Sequence, residues 1–165
     1  PSLISRLVEV QQALRNLGAD LKLVEPENIH ATVRFLGEAP AATVELVKEQ
    51  MNAVKFRPFD AEFAGLGAFP NLRRINVVWV GMRKGHEEIS QMFQQLEPRL
   101  RQIGFVPDRK GFSPHVTIAR VKTGRKREEL AKFVDDMGDT PFGIVHVEEL
   151  RLKRSVLTPK GPVYT

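Results

Sequence analysis

Two short segments, His30-Ala31-Thr32-Val33 and His115-Val116-Thr117-Ile118, decide how the fold of this chain is interpreted. Each consists of a histidine, an apolar residue, a threonine and a β-branched residue, and each continues into further apolar residues. The chain has only four histidines, so half of them share this context. Because residues two apart on a β-strand point to the same face, two such strands brought together would present two imidazoles and two hydroxyls to one cleft.

These side chains suit acid–base chemistry on a phosphate. Imidazole titrates near neutral pH, so one ring can deprotonate an attacking water while the other protonates the departing oxygen. Each threonine hydroxyl can donate to a phosphoryl oxygen, and an arginine can add a bidentate donor. Alternation places Arg34 on the face of His30 and Thr32, which makes it a candidate phosphate or RNA contact. The scheme requires no metal, and a strained cyclic phosphodiester is a suitable substrate.

Other interpretations of the histidines are weaker. A single histidine in a strand is usually structural, and we interpret His86 and His146 in this way. A zinc site would favour closely spaced histidines, but no histidine has a second one within five positions. Carboxylates such as Glu38 would have to complete a metal site, and no metal-binding motif supplies them. We therefore predict neither a metal nor a cofactor.

The composition indicates a single globular domain over residues 1–165, with 42% hydrophobic and 27% charged residues. The absence of cysteine excludes disulfides and thiolate chemistry. No apolar run approaches the roughly 20 residues of a membrane helix and no signal segment opens the chain, so we expect a cytoplasmic protein without membrane contact. No exposed apolar stripe indicates an obligate protein partner.

The net charge of +5 favours an anionic partner, with nucleic acid as the first candidate. Part of this charge lies just after the second histidine segment, in the cationic residues between Arg120 and Arg127. Two interpretations of this cluster remain open, a solvated helix start and a rim that attracts phosphate.

Apolar spacing predicts an α+β fold. Residues three and four apart predict four helices, at 3–17, 44–54, 89–103 and 130–137. Alternating and β-branched residues predict strands, at 21–24, 29–36, 59–63, 76–80, 115–121 and 142–152, with a loop at 69–71. Each half then contains a His-x-Thr strand, a helix and another strand. We expect two pseudo-symmetric lobes around a central cleft, each an antiparallel sheet with helices on its outer face, joined near Met82–His86.

Several segments resemble one known family. His30–Glu38 and Pro114–Val121 resemble the two signatures of the two-histidine (2H) phosphoesterases. The similarity is greatest to the RNA 2′,3′-cyclic phosphodiesterases, which are also called 2′-5′ RNA ligases. Three further segments match the family in the same order, Glu25–Asn28, Gly67–Pro70 and Leu157–Tyr164.

The resemblance implies a two-lobed fold and hydrolysis of RNA 2′,3′-cyclic phosphate ends to 2′-phosphates. The reverse reaction would join a 2′-phosphate or cyclic end to a 5′-hydroxyl. Carried onto this chain, it makes His30 the proton donor and His115 the proton acceptor, with Thr32 and Thr117 beside them. Two alternatives remain open, an RNA- or nucleotide-binding module without turnover and a phosphodiesterase for another small cyclic phosphate.

The resemblance also implies two substrate contacts, each five residues after its histidine. Phe35 would stack on a base, and Arg120 would bind the phosphate. Strict alternation places both on the face opposite the histidines, so Arg120 reaches the phosphate only if its strand twists, bulges or ends. Phe35 can equally be interpreted as a core aromatic. Relatives have a strand before the first helix and another after Tyr164, so we expect terminal strands to be missing from this sequence.

Overall fold

The computed structural model describes residues 2–107, 112–159 and 161–165. Its four helices agree with the four predicted from apolar spacing. They are α1 (Leu3–Asn16), α2 (Ala41–Asn52), α3 (His86–Gln102) and α4 (Arg127–Asp136). A short 3-10 helix over Pro26–Asn28 precedes the first histidine segment. Within the described residues, no helix is both long enough and apolar enough to cross a membrane.

Five strands form one antiparallel sheet, in the spatial order β1-β4-β3-β2-β5. A separate hairpin consists of β6 and β7. The strands are β1 (Leu21–Leu23), β2 (Phe59–Asn71), β3 (Arg74–Lys84), β4 (His115–Val121), β5 (Pro141–Val147), β6 (Ser155–Thr158) and β7 (Gly161–Tyr164). The predicted α+β class and antiparallel pairing are confirmed.

One face of the five-stranded sheet is covered by α1 and α4. The Ser2 hydroxyl caps α1 by accepting a hydrogen bond from the Ser5 amide, and this satisfies a donor that the helix leaves free. The apolar stripe of α1 then packs on the sheet through buried residues such as Leu7 and Leu14. Leu130 of α4 belongs to the same core. We call this side the core face and the opposite side the motif face.

A second core lies between α2 and α3. Its buried members are Val47, Val54, Ile89, Met92, Leu96 and Leu100. Phe59 and Met82 contact both cores. Gly85 alone separates β3 from α3, and its φ of 93° lies in the left-handed region that favours glycine. Two cores with two helices each agree with the predicted two lobes. The prediction that residues 82–86 link a lobe made of the first half to a lobe made of the second half is wrong, because each core combines one helix before Gly85 with one after it.

The lobes are less alike than the sequence pattern predicts. Residues 29–36 do not form the predicted strand, and within the described part of the chain their only ladder contact is an isolated bridge between Ala31 and Val116. Val33 and Leu36 both pack against the second core, which residues three apart could not do in a regular strand. Residues 29–36 therefore give the second lobe no strand, and the separate β6–β7 hairpin contacts the 3-10 helix. Several boundaries also differ: β2 continues through the predicted loop at 69–71, β3 spans Arg74–Lys84 and so extends beyond the predicted strand at 76–80, and β5 ends at Val147.

Candidate active site

His115 opens β4, and its ring is held by the backbone two residues earlier. Its Nδ1 lies 2.6 Å from the carbonyl oxygen of Ser113. A carbonyl oxygen only accepts hydrogen bonds, so Nδ1 carries the hydrogen and donates it. Nε2 is then the ring atom that can take up or release a proton.

His30 is held in the same way. Its Nδ1 donates to the carbonyl oxygen of Asn28, two residues earlier, at 2.5 Å. Nε2 is again the atom left for proton transfer. The matched sequence segments therefore carry matched hydrogen bonds, and the two rings have the same tautomer.

The bridge between Ala31 and Val116 brings the two segments together. In an antiparallel pair with this register, His30 lies opposite Thr117 and Thr32 lies opposite His115. Val116 is 3% exposed and faces the core, so its neighbours in the strand face the other way. His115 and Thr117 therefore belong to the motif face, and His30, opposite Thr117 at the bridge, lies on the same face.

A β-bulge interrupts β4 just after this group. Thr117 is paired with Trp79 of β3, whereas Ala119 is paired with Val78, the next residue of β3. Ile118 is therefore an extra residue on the bulged strand. Ile118 and Ala119 are both fully buried, which strict alternation would not allow.

The bulge moves Arg120 to the motif face. Arg120 is paired with Val77, which shares a face of β3 with Trp79, the partner of Thr117. The Arg120 side chain is exposed. Arg120 thus lies on the face of His115 and Thr117. A phosphate contact by Arg120 requires its strand to twist, bulge or end, and the strand has such a bulge.

Two aromatic rings support His115. The Phe69 ring lies edge-on at 5.0 Å between ring centroids, and Trp79 lies at 6.2 Å. The indole lies against Gly67, where a Cβ atom would be only 2.2 Å from Cζ2 of Trp79. Gly67 therefore leaves the space that the Trp79 ring occupies beside the histidine, with the two ring planes tilted by 60°.

His30 is supported by the β6–β7 hairpin. The Tyr164 ring lies edge-on to the imidazole at 5.0 Å between centroids. The Asn28 side-chain amide donates to the Pro162 carbonyl oxygen at 2.9 Å, and this joins the 3-10 helix to β7. Asn28 thus holds the histidine through its carbonyl and the hairpin through its side chain.

Arg34 has a different environment from the one predicted. Its Nε donates to Glu97 at 2.9 Å, and its Nη atoms donate to the carbonyl oxygens of Phe35 and Val106. The Arg34 and Glu97 side chains are only 11% and 7% exposed. Because the residues after Ala31 leave the strand geometry, Arg34 is bound to α3, and we omit it from the proposed substrate contacts.

Phe35 is not a core residue. Its side chain is 77% exposed, although a ring of this size is usually buried in a soluble protein. Arg34 ties its backbone to that of Val106, which is 72% exposed. The two side chains provide exposed apolar surface on adjoining segments, so Phe35 remains a candidate for stacking on a base.

The sequence pattern missed the groups that hold the histidines. The acceptors at Asn28 and Ser113 are backbone carbonyls, so their side chains gave no signal. Phe69 and Tyr164 were matched as parts of family segments, without a role. Lys160 of the last segment lies outside the described residues.

The cationic residues between Arg120 and Arg127 include both a helix start and a residue on the motif face. Lys126 and Arg127 form the start of α4, whereas Arg120 lies on the motif face. Within the described ranges, no group of three or more histidine, cysteine, aspartate or glutamate side chains is arranged to hold a metal ion.

The family of the chain follows from comparison with known proteins. The model of the LigT like Phosphoesterase family matches it twice, over residues 1–79 and 80–164. The chain therefore belongs to this family. The boundary between the two matches falls within β3, close to Gly85. Each lobe takes one helix from each match, because α1 packs with α4 on one core and α2 with α3 on the other.

Individual relatives agree with this assignment. Proteins of Aeropyrum pernix and Archaeoglobus fulgidus named RNA 2′,3′-cyclic phosphodiesterase are each 39% identical to the chain. The first alignment covers 98% of this chain and 92% of the relative, and the second covers 94% and 88%. The crystal structure of the Thermus thermophilus protein TT0787 superposes with a TM-score of 0.72 at 26% identity, over 98% of this chain and 87% of that one.

Proposed function

We propose that this protein hydrolyses RNA 2′,3′-cyclic phosphate ends to 2′-phosphates by metal-independent acid–base catalysis. The observation that carries the proposal is the matched pair of hydrogen bonds from His30 and His115 Nδ1 to backbone carbonyls. Both bonds leave Nε2 as the atom that exchanges protons. Binding alone would not require two imidazoles in the same tautomer beside two hydroxyls.

In the proposed reaction, His115 Nε2 takes a proton from water as the water oxygen attacks phosphorus. The bond between phosphorus and the 3′ oxygen then breaks, and His30 gives that oxygen the proton carried on Nε2. The product is a 2′-phosphomonoester with a free 3′-hydroxyl. Across an antiparallel pair, diagonal neighbours such as these two histidines are about 7–8 Å apart, so both rings can reach one phosphate.

The remaining groups stabilise charge on the phosphate. Thr32 and Thr117 donate from their hydroxyls to the oxygens that do not leave, and Arg120 adds a cationic donor on the same face. Phe35 offers an exposed ring for the terminal base. The names of the Aeropyrum and Archaeoglobus relatives support an RNA end as the substrate. A cytoplasmic location stays a prediction.

The direct test is turnover in the presence of a chelator. We expect the purified protein to convert an RNA ending in a 2′,3′-cyclic phosphate to the 2′-phosphate in excess EDTA, at the rate measured without it. Susceptibility to phosphatase shows that the ring has opened to a monoester, and NMR identifies the 2′ isomer. Binding without turnover would favour the binding module, and activity that disappears on metal removal would contradict the proposal. Turnover confined to non-RNA cyclic phosphates would favour the other alternative.

Arg120→Gln tests whether the bulge delivers a phosphate contact. We expect kcat/KM for a mononucleotide 2′,3′-cyclic phosphate to fall about 10- to 100-fold, because a charge-assisted hydrogen bond of about 1.5–3 kcal/mol is lost. Arg125→Gln removes an equal charge outside the bulged strand and serves as the matched control. Equal effects of the two substitutions would mean that Arg120 acts only through the general field of the protein.

A further inference from the structure

The edge of the motif face carries a second cation that sequence patterning did not single out. We infer that Lys22, beside Arg120, forms a subsite for a backbone phosphate on the 5′ side of the cyclic end. This inference rests on the proposed function and extends it from a single nucleotide to a polynucleotide. A cyclic phosphate terminates the 3′ end of its strand, so every other phosphate of the substrate lies on the 5′ side.

The strand register places the two cations together. β1 pairs antiparallel with β4, and Lys22 lies directly opposite Arg120. Residues opposite each other in such a pair share a face of the sheet. Because the bulge at Ile118 puts Arg120 on the motif face, Lys22 lies there too. Without the bulge, both side chains would point into the core that α1 and α4 cover.

Lys22 and Arg120 place two positive charges side by side on neighbouring strands. Like charges directly opposite each other on neighbouring strands destabilise a sheet. Both side chains are exposed. Among the described ion pairs, neither Lys22 nor Arg120 has a carboxylate partner. An anion bound between them would relieve this repulsion, and the anions of the proposed substrate are phosphates.

The spacing separates this subsite from the reacting phosphate. Arg120 lies two register steps beyond Thr117, which is about 7 Å along the strand. Lys22 is one strand spacing further across the sheet, about 5 Å. A phosphate held by Lys22 is thus a different group from the one between the histidines. Arg120 stands between the two positions and can contact either.

Lys22→Gln tests the subsite by comparing two substrates. One is a mononucleotide 2′,3′-cyclic phosphate, and the other is a four-nucleotide RNA with the same end. We expect the KM for the RNA to rise about tenfold more than the KM for the mononucleotide, with kcat for the RNA little changed. The slope of log kcat/KM against log salt for the RNA should become shallower by about 0.7, the value for one phosphate on a single strand. Lys22→Arg should restore both values.

The control is Lys132→Gln, which removes the same charge from α4 on the other side of the sheet. A Lys22→Gln effect equal for both substrates, or no larger than that of Lys132→Gln, would overturn the subsite. The subsite would also be overturned if the wild-type protein hydrolysed the mononucleotide but not the RNA. Failure of the wild-type protein on both substrates would instead overturn the proposed function.

Discussion

Alanine at His30 or at His115 is expected to lower kcat by about 10²- to 10⁴-fold while the protein stays folded. Each substitution removes one of the two Nε2 atoms that move protons, and neither ring belongs to a hydrophobic core. Rates would be measured with a mononucleotide cyclic phosphate, and folding by circular dichroism. The double substitution should cost much less than the product of the single effects, because the two groups act in one step.

The pH profile distinguishes the two roles. In the proposed reaction, His30 must be protonated and His115 must be neutral, so kcat/KM is expected to fall on both sides of a maximum. His115→Ala should remove the fall at low pH, and His30→Ala should remove the fall at high pH. The opposite pattern would exchange the donor and the acceptor. The two limbs report macroscopic values for the pair and not for either ring alone.

His146 provides a matched control for these substitutions. It is exposed on β5, which is an edge strand of the sheet, and its Nδ1 lies 2.8 Å from a carboxylate oxygen of Asp60. Its replacement by alanine should leave kcat and KM close to those of the unmodified protein. A loss comparable to that of His30→Ala would indicate that the assay responds to general damage, and it would contradict the assignment of catalysis to the two His-x-Thr segments.

Sequence periodicity predicted the parts of this molecule that follow from local rules. The four helices are amphipathic over at least ten residues, so their apolar stripes identify them. The pairing of the two motifs was also predictable, because the His-x-Thr pattern gives each histidine and threonine the same face. The isolated Ala31–Val116 bridge is consistent with that expectation.

The irregular positions could not be predicted from periodicity. A bulge depends on the register between two strands, and nothing in Val116-Thr117-Ile118-Ala119 indicates that Ile118 is extra. The path after Ala31 is determined by long-range contacts to α3, which override the β-branched composition of the segment. The support of the histidines comes from backbone carbonyls and from rings far along the chain. The sequence therefore located the catalytic candidates but not the groups that orient them.

Glu97→Ala is expected to lower the free energy of unfolding by about 3–5 kcal/mol, which is the usual cost of removing one partner of a buried ion pair. Glu97 on α3 is 5% exposed and accepts from Arg34 Nε at 2.9 Å, and Arg101 lies within 3.8 Å. Its loss leaves the Arg34 guanidinium buried without that carboxylate. Urea denaturation would show a lower midpoint with an unchanged m-value.

Glu45→Ala is the matched control, because Glu45 forms an exposed pair with Lys48 on α2. Exposed pairs contribute less than about 1 kcal/mol, so the control should change the unfolding free energy only slightly.

Replacing both members of the buried pair, as in Arg34→Met with Glu97→Leu, should recover much of the loss, since an apolar pair leaves no unpaired charge. If Glu97→Ala were as mild as Glu45→Ala, the ion pair would not be what fastens residues 34–35 to α3. The recovered double variant should still raise KM for RNA more than it lowers kcat, because the Phe35 carbonyl loses its Arg34 donor while the two histidines keep their carbonyl acceptors.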